Sequence, residues 1–292
     1  MKTNLEAEAL PEKTWPEKIG VLLIVVVPFA ATLYAITQLW QRYVNGLDLA
    51  LLLAFYLISG LGITVGHHRL LTHRSFETYP WLKAGLLMMG AMAFEGKPGD
   101  WASTHLEHHA HSDQDGDPHS PLVSLWHSHV GWMFTHRPRF EIYGPWLLKD
   151  PVVAFADATW WLWAIVGLAI PFAIGGWQGL LWGGLVRVFL THHITWSVNS
   201  ICHTFGERPY ATRDRSRNNW VMGLLAFGEG WHNNHHAFPR SAFHGLRWWE
   251  FDLSAWFIRA LEATGLAWNV QRVSPEAERR KAKTKAYADG AD

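Results

Sequence analysis

Histidine dominates the chemistry available to this sequence. The 292-residue chain holds 18 His and a single cysteine, Cys202. One thiol cannot build a disulfide framework, a cysteine-based zinc site or an iron–sulfur cluster. The imidazoles are grouped: His67, His68 and His73; then His105, His108, His109 and His111; then His232, His235 and His236. The second and third groups share the pattern H-x-x-H-H, and positions i, i+3 and i+4 of a helix lie on one face. Each is therefore expected to turn three imidazoles toward one point. His68 and His73 are five apart, which a straight α-helix does not align, so a helix end or a turn is expected there. Asn199 and His203 stand at i, i+4 and share a face. A lone His is usually a surface or satisfied core residue, but clusters at ligand spacing point to metal. Neutral nitrogens without thiolate suit iron, zinc, copper or nickel. Eight or nine imidazoles exceed the roughly four ligands of a single zinc, so two ions are expected. The paired Glu-x-x-His motifs of carboxylate-bridged di-iron bundles are absent. An all-imidazole pair of redox metals suits O₂ activation, whereas hydrolysis needs fewer ligands. Glu107, Asp113, Asp117 and Glu229 are candidates to orient imidazole N–H groups. His67, His111, His119, His127, His129, His136, His192, His193 and His244 lack ligand spacing and are expected at the surface, in packing or in support.

The elements that position these groups are apolar and long. Residues 19–40 carry no charge, and as a helix they would extend about 33 Å, enough for a bilayer core. Mixed charges precede them and no small-residue cleavage site follows, which argues against a signal peptide. Further uncharged stretches cover 49–66 and 158–174, and 177–198 carries only Arg187. That Arg should reach outward or find a partner. Residues 84–94 are too short to span and read as an interfacial or buried helix. The expected fold is an all-α integral membrane protein. Four transmembrane helices form two hairpins, with short outer loops at 41–48 and 175–176, and a cytosolic helical cap holds the histidine-rich dimetal site. The expected division is a cytosolic segment 1–18, a membrane domain 19–255, and a C-terminal helix and basic tail 256–292. Arg213, Arg215, Arg217 and the run Arg279-Arg280-Lys281 put the histidine side and both termini in the cytoplasm by the positive-inside rule.

Composition agrees. Charged residues are 17% and aromatics 14%, with 19 Trp, a bias typical of membrane interfaces. Formal net charge is zero, which argues against a nucleic-acid partner. A non-enzymatic metal carrier would need ionisable residues along its spans, and only Arg187 is there.

Several motifs resemble the membrane fatty acid desaturases, in the Δ9 acyl-CoA and acyl-lipid branch (stearoyl-CoA desaturase-like), bacterial type. Gly66-His67-His68-Arg69-Leu70-Leu71-Thr72-His73 resembles G-x-H-R-L-x-x-H. Gly116-Asp117-Pro118-His119 follows the second box, and Ser128-His129-Val130-Gly131-Trp132 resembles S-H-x-G-W. Thr195-Trp196-Ser197-Val198-Asn199-Ser200-Ile201-Cys202-His203 resembles T-W-x-V-N-S-x-x-H. Gly228-Glu229-Gly230-Trp231-His232-Asn233-Asn234-His235-His236 resembles G-E-G-x-H-N-x-H-H. The resemblance covers roughly residues 20–255. It implies two irons ligated by His68, His73, His105, His108, His109, His203, His232, His235 and His236, with Asn199 completing one shell through a water. It implies a bent acyl tunnel, with Thr195 and Trp196 at the bend and Tyr56 and Gly60 at the floor. It also implies O₂, an acyl chain carried on CoA or lipid, surrounding membrane lipid, and an external electron donor. That donor would be of ferredoxin, rubredoxin or cytochrome b5 type with its reductase. The implied activity is insertion of a cis double bond into a saturated chain, at a bacterial cytoplasmic membrane. An alkane or sterol hydroxylase with the same metals is the alternative. Leu106 stands where the family's second box often has Arg. Residues 95–104 lack the polar and basic groups that animal acyl-CoA members place near the CoA headgroup. Glu95 reads either as a polar group in the tunnel or as a surface residue.

Overall fold

The computed structural model describes residues 11–41 and 43–282. Its first helix, α1 (Trp15–Trp40), starts at a capping box in which Thr14 and Glu17 exchange side-chain and backbone hydrogen bonds. A second box, Asn45 with Asp48, starts α2 (Gly46–Leu61). The chain does not stop at the expected 66. It continues as a π-helical segment, Gly62–Thr72, buried throughout. There follow a two-residue strand β1 (Glu77–Thr78), α3 (Pro80–Ala91), α4 (Pro98–His111) and α5 (Leu125–His129). Asp150 caps α6 (Pro151–Gly179) by accepting from the N–H groups of Val152 and Val153. A second π segment, Leu180–Val186, leads into α7 (Arg187–Ile201). The cap ends with α8 (Trp220–Leu225), α9 (His232–Ala237), α10 (Leu253–Ala263), strand β2 (Ala267–Trp268) and α11 (Pro275–Lys281). β1 and β2 pair antiparallel, Glu77 with Trp268 and Thr78 with Ala267.

Among the described residues, three helical stretches are long and apolar enough to cross a membrane: Trp15–Trp40, Gly46–Thr72 and Pro151–Ile201. The third is 51 residues long and breaks at Gly176, whose φ of 58° and ψ of −144° are not helical. Glycine takes this conformation without the Cβ penalty. The chain folds back there, bringing Gly179 so near the carbonyl of Pro171 that a Cβ would lie 2.1 Å from its oxygen. The first limb begins at Pro151 rather than 158, because Asp150 supplies the cap. α1 and α6 leave Leu23, Val26, Leu33, Ile165 and Phe172 exposed, an apolar surface suited to lipid.

Two close approaches set the inner packing. α3, which begins four residues before the expected 84, lies against the first π segment. A Cβ on Gly62 would sit 2.0 Å from the backbone N of Gly90, so glycine is required at this crossing. Arg187 neither reaches outward nor pairs with an acid. It is fully buried and donates to three backbone carbonyls: Met92 at 2.5 Å, Gly167 at 2.7 Å and Gly183 at 3.2 Å. Those carbonyls satisfy the cation and tie α6 to the turn after α3.

Candidate metal centre

The ligand-spaced histidines converge on two adjacent clusters. His68, His73, His105, His109 and His235 form one, and His108, His203, His232 and His236 the other; within each, ring nitrogens lie within 4.8 Å of one another. The H-x-x-H-H triples do not each serve one point. On α4, His105 and His109 enter the first cluster and His108 the second. On α9, His235 enters the first and His232 and His236 the second. The i, i+4 pair stays together and the third ring is about 100° away around the helix, so each helix feeds both clusters. His109 and His236 stack across the boundary, with ring centroids 4.5 Å apart.

The five-residue spacing of His68 and His73 is resolved by the π segment rather than by a turn. Its wider turn closes i→i+5, and the His73 N–H donates to the His68 carbonyl at 3.1 Å. The two rings meet edge to face at 4.7 Å. The same step brings His67 out of the centre, where its Nε2 meets the Leu87 carbonyl at 3.2 Å.

Carboxylates fix the tautomers. Glu229 Oε2 lies 2.6 Å from His68 Nδ1, and Asp117 Oδ1 accepts from His108 Nδ1 at 2.9 Å. Asp113 Oδ2 accepts from His203 Nδ1 at 2.8 Å, and Asp214 Oδ2 from His236 Nδ1 at 3.0 Å. With the proton on Nδ1, each Nε2 carries a bare lone pair turned inward. His203 Nε2 and His236 Nε2 both face His232 Nε2, at 2.9 and 3.1 Å. His235 Nε2 faces His68 Nε2 at 3.2 Å and His109 Nε2 at 2.9 Å. One proton cannot satisfy such a convergence of lone pairs, but a cation can. His73 Nε2 and His108 Nε2 are buried without any partner. The donor set fits a metal in each cluster.

Electrostatics point the same way. Burial, reinforced by neighbouring rings, holds His105, His109, His232 and His235 well below the usual imidazole range. Burial takes His108 down to about 3, against the pull of Asp117. Burial alone would raise Asp117 and Asp214, but the rings they hold keep both carboxyls below their ordinary range. The rings are thus neutral and ready to ligate at neutral pH.

Not every expected carboxylate takes part. Glu107 contacts neither cluster; it lies 3.6 Å from His136 and 3.8 Å from Arg139. It lies one step off the ligand face of α4. Asp214 replaces it, from a loop with no spacing signal. His119 stacks on His108 at 4.3 Å. His244 lies 4.4 Å from the ring of His235 and places Nδ1 3.1 Å from Glu229 Oε2. His119 follows a recognisable Gly-Asp-Pro, so its neighbourhood was marked in the sequence; His244 stands in no motif.

An apolar cavity of about 280 Å³ leads up to the imidazoles. Thr195, Trp196 and Asn199 of α7 line it beside His68, His105 and His232. Tyr56 and Gly60 also line it, against Phe227. The Tyr56 hydroxyl donates to the Leu225 carbonyl at 2.7 Å, and its ring meets that of Phe227 edge to face at 5.2 Å. A Cβ on Gly60 would be 2.1 Å from the Phe227 ring. Glu95 belongs to this cavity, not to the surface. Trp101 Nε1 donates to its Oε2 at 2.8 Å, while Oε1 is buried and unpartnered. Burial raises this carboxyl to about 7. The Trp101 ring in turn stacks on His105 at 5.0 Å.

Apolar membrane-length helices carrying two imidazole clusters that could hold metal, beside an apolar cavity, fit a membrane enzyme acting on a long apolar substrate. A family model described as fatty acid desaturase matches residues 44–272. The chain belongs to the fatty acid desaturase family. It is 45% identical over 224 residues to the sn-1 stearoyl-lipid 9-desaturase of Anabaena variabilis, covering 75% of this chain and 82% of that protein. It is 38% identical over 272 residues to a hex-5-enoyl-[acyl-carrier protein] acetylenase of Moorena producens (strain JHB), covering 86% and 85%. Identity to the chloroplastic palmitoyl-monogalactosyldiacylglycerol delta-7 desaturase of Arabidopsis thaliana is 43% over 235 residues, covering 78% and 63%. The chain is an oxidoreductase that desaturates fatty acyl chains.

Proposed function

We propose that this enzyme inserts a cis double bond at the Δ9 position of a saturated acyl chain carried on a membrane lipid or on CoA. The observation that carries the reading is the convergence of two buried imidazole clusters at the end of an apolar cavity. One iron is held by His68, His73, His105, His109 and His235. The other would be held by His108, His203, His232 and His236, and Asn199, which lines the cavity beside His232, would complete one iron's shell through a water. When bound, the irons supply an oxidant strong enough for unactivated C–H bonds, using O₂ and two electrons from an external one-electron donor. Glu229, Asp117, Asp113 and Asp214 keep the Nδ1 protons in place and the Nε2 lone pairs aimed. Thr195, Trp196 and Trp101 hold the reacting carbons beside the imidazoles, and the apolar walls keep bulk water away. Tyr56, Gly60 and Phe227 close the far end and limit chain length.

In the same reading the protein spans a bacterial cytoplasmic membrane four times, near 15–40, 46–72, 151–175 and 177–201. Both termini and the histidines then lie in the cytoplasm. Residues 19–255 are the membrane domain; of the flanking segments, 1–10 and 283–292 lie outside the described residues. The test is expression in a host lacking the activity, with its fatty acids read by gas chromatography and mass spectrometry. New Δ9 monounsaturated chains are expected, and the lipid or thioester fraction that gains them first identifies the carrier. Hydroxylated chains instead would transfer the protein to the hydroxylase reading.

A further inference from the structure

The four rings of the second cluster are buried, so a hydrated ion cannot meet them directly from solvent. A second cavity, of about 610 Å³, leads toward them and differs in chemistry from the apolar one. Glu107 and His111 of α4, Asp115 and Asp117 of the loop that follows, and His127 of α5 line it. Its walls thus hold three carboxyl groups against the single guanidinium of Arg139. Asp115 and Thr135 are exposed at its rim, whereas Glu107 and Asp117 are buried, so it runs from the surface inward. Glu107 is only 5% exposed, and its Oε2 has no hydrogen-bond partner. His127 Nε2–H donates to the Pro118 carbonyl at 3.1 Å, which leaves the Nδ1 lone pair for another partner.

The inner wall connects to the metal centre. Asp117 is the carboxylate that accepts from His108 Nδ1 at 2.9 Å. Behind it, His119 Nδ1 is buried and unpartnered, 3.9 Å from Asp117 Oδ1. Asp117, His119 and His108 form a further group whose ligand atoms lie within 4.8 Å of one another, and His108 belongs both to this group and to the second cluster. An ion on Asp117 and His119 is therefore one imidazole ring away from that cluster. We propose that this cavity is the port through which a divalent cation reaches the centre: its carboxyl groups and imidazoles take the ion from solvent, and Asp117 with His119 pass it to the second cluster. Mixed oxygen and nitrogen ligands suit a first-row divalent ion. Exchanging its waters for protein ligands one at a time spares it a bare passage through a low-dielectric wall. The acidic excess raises the local cation concentration. No electron moves and no covalent bond of the chain changes. The inference rests on reading the clusters as metal sites, but loading is measured without turnover.

The experiment uses the full chain, stripped by chelator and held in lipid nanodiscs, with cobalt(II) chloride as the probe. Visible absorption in stopped flow gives the rate of uptake, and plasma mass spectrometry gives the final content. Two alterations are compared. Glu107→Gln/Asp115→Asn removes two wall carboxylates. Thr135→Cys carrying a bulky methanethiosulfonate label plugs the rim, and the buried Cys202 is spared. In both, uptake of at least one equivalent should slow tenfold or more while the final content stays at two ions per chain. Reducing the label off should restore the rate in the same sample. Should the carboxamide variant fail to fold, the plug decides alone. Uptake within twofold of the unaltered rate in the plugged protein would overturn the port. So would octadecanoate slowing uptake as much as the plug does, because entry would then run through the apolar cavity. A lower final content at an unchanged rate would make these residues holders of the ion rather than its route. Unaltered protein that takes up no cobalt would refute the metal centre and the port together, whereas two equivalents at an unchanged rate refutes only the port.

Discussion

At the scale of single residues, the centre depends on groups that set proton positions as much as on ligands. Asp214 holds only His236, so its neutralisation should act on one ion. Asp214→Asn is expected to weaken the second metal by roughly tenfold to a hundredfold. Inductively coupled plasma mass spectrometry should then read a metal content falling from two ions toward one. Equal loss of both would refute the assignment of Asp214 to the second cluster. Glu95 makes a different prediction. Its carboxyl titrates at about 7 because it is buried. Below that pH it is neutral and compatible with an alkyl chain; above it, a carboxylate faces the apolar cavity. The KM for acyl substrate should rise as pH passes from 6.5 to 8.5 in the natural enzyme and stay flat in Glu95→Gln. A parallel rise in both would remove Glu95 from substrate binding. These residues also show what sequence can carry. The clustering of the candidate ligands is legible because helical periodicity imposes i, i+3 and i+4 spacing. Asp214 and His244 reach the centre from irregular loops, where distance along the chain says nothing about distance in space.

At the scale of elements, type and order follow from apolar run length, caps and glycine, while two boundaries do not. The π segment escapes any argument from α-helical period, since His68 and His73 look misaligned until the helix widens. Asp150 starts α6 at Pro151, inside a stretch whose Asp157 breaks the apolar run. The split of each histidine triple was likewise hidden. A single helix viewed alone has one ligand face, and only the opposing helix divides it. Packing between elements also closes the cavity. In the proposed reading its far end is built by α2, through Tyr56 and Gly60, and by Phe227 between α8 and α9, all of which line the cavity. Phe227→Ala removes the ring that fills the space over Gly60. The product profile should therefore shift to chains longer by two or more carbons, at a stability cost of about 3–5 kcal/mol. Gas chromatography of total fatty acids checks the first effect and thermal denaturation in detergent the second. Destabilisation with unchanged chain length would move the floor elsewhere.

At the scale of the whole molecule, the two clusters join segments far apart in sequence. The rings come from the π segment after α2, from α4, from the turn after α7 and from α9. Bound metal is therefore a cross-link among four parts of the chain, and its binding free energy is also stability. Without metal, convergent lone pairs and buried neutral rings remain. His119 and His244 are lowered to about 4 and His136 to about 3, in each case chiefly by burial, against 6.5 for a free imidazole. An imidazole depressed in the folded state binds protons more readily when the chain unfolds. Stability therefore rises with pH across this window: it is full above about 6.5 and is lost as pH falls toward 4. Chelator-stripped protein should melt at a lower temperature than loaded protein at pH 7.5. The melting temperature of the stripped protein should itself fall steadily as pH is taken to 5.5, because the unfolded chain then binds protons that the buried rings refuse. Differential scanning fluorimetry on the 19 Trp reads this directly. A metal-free protein whose melting temperature does not move between pH 7.5 and 5.5 would show that these rings are not neutral and buried. A metal-free protein as stable as the loaded one would show that the four segments are held by packing alone.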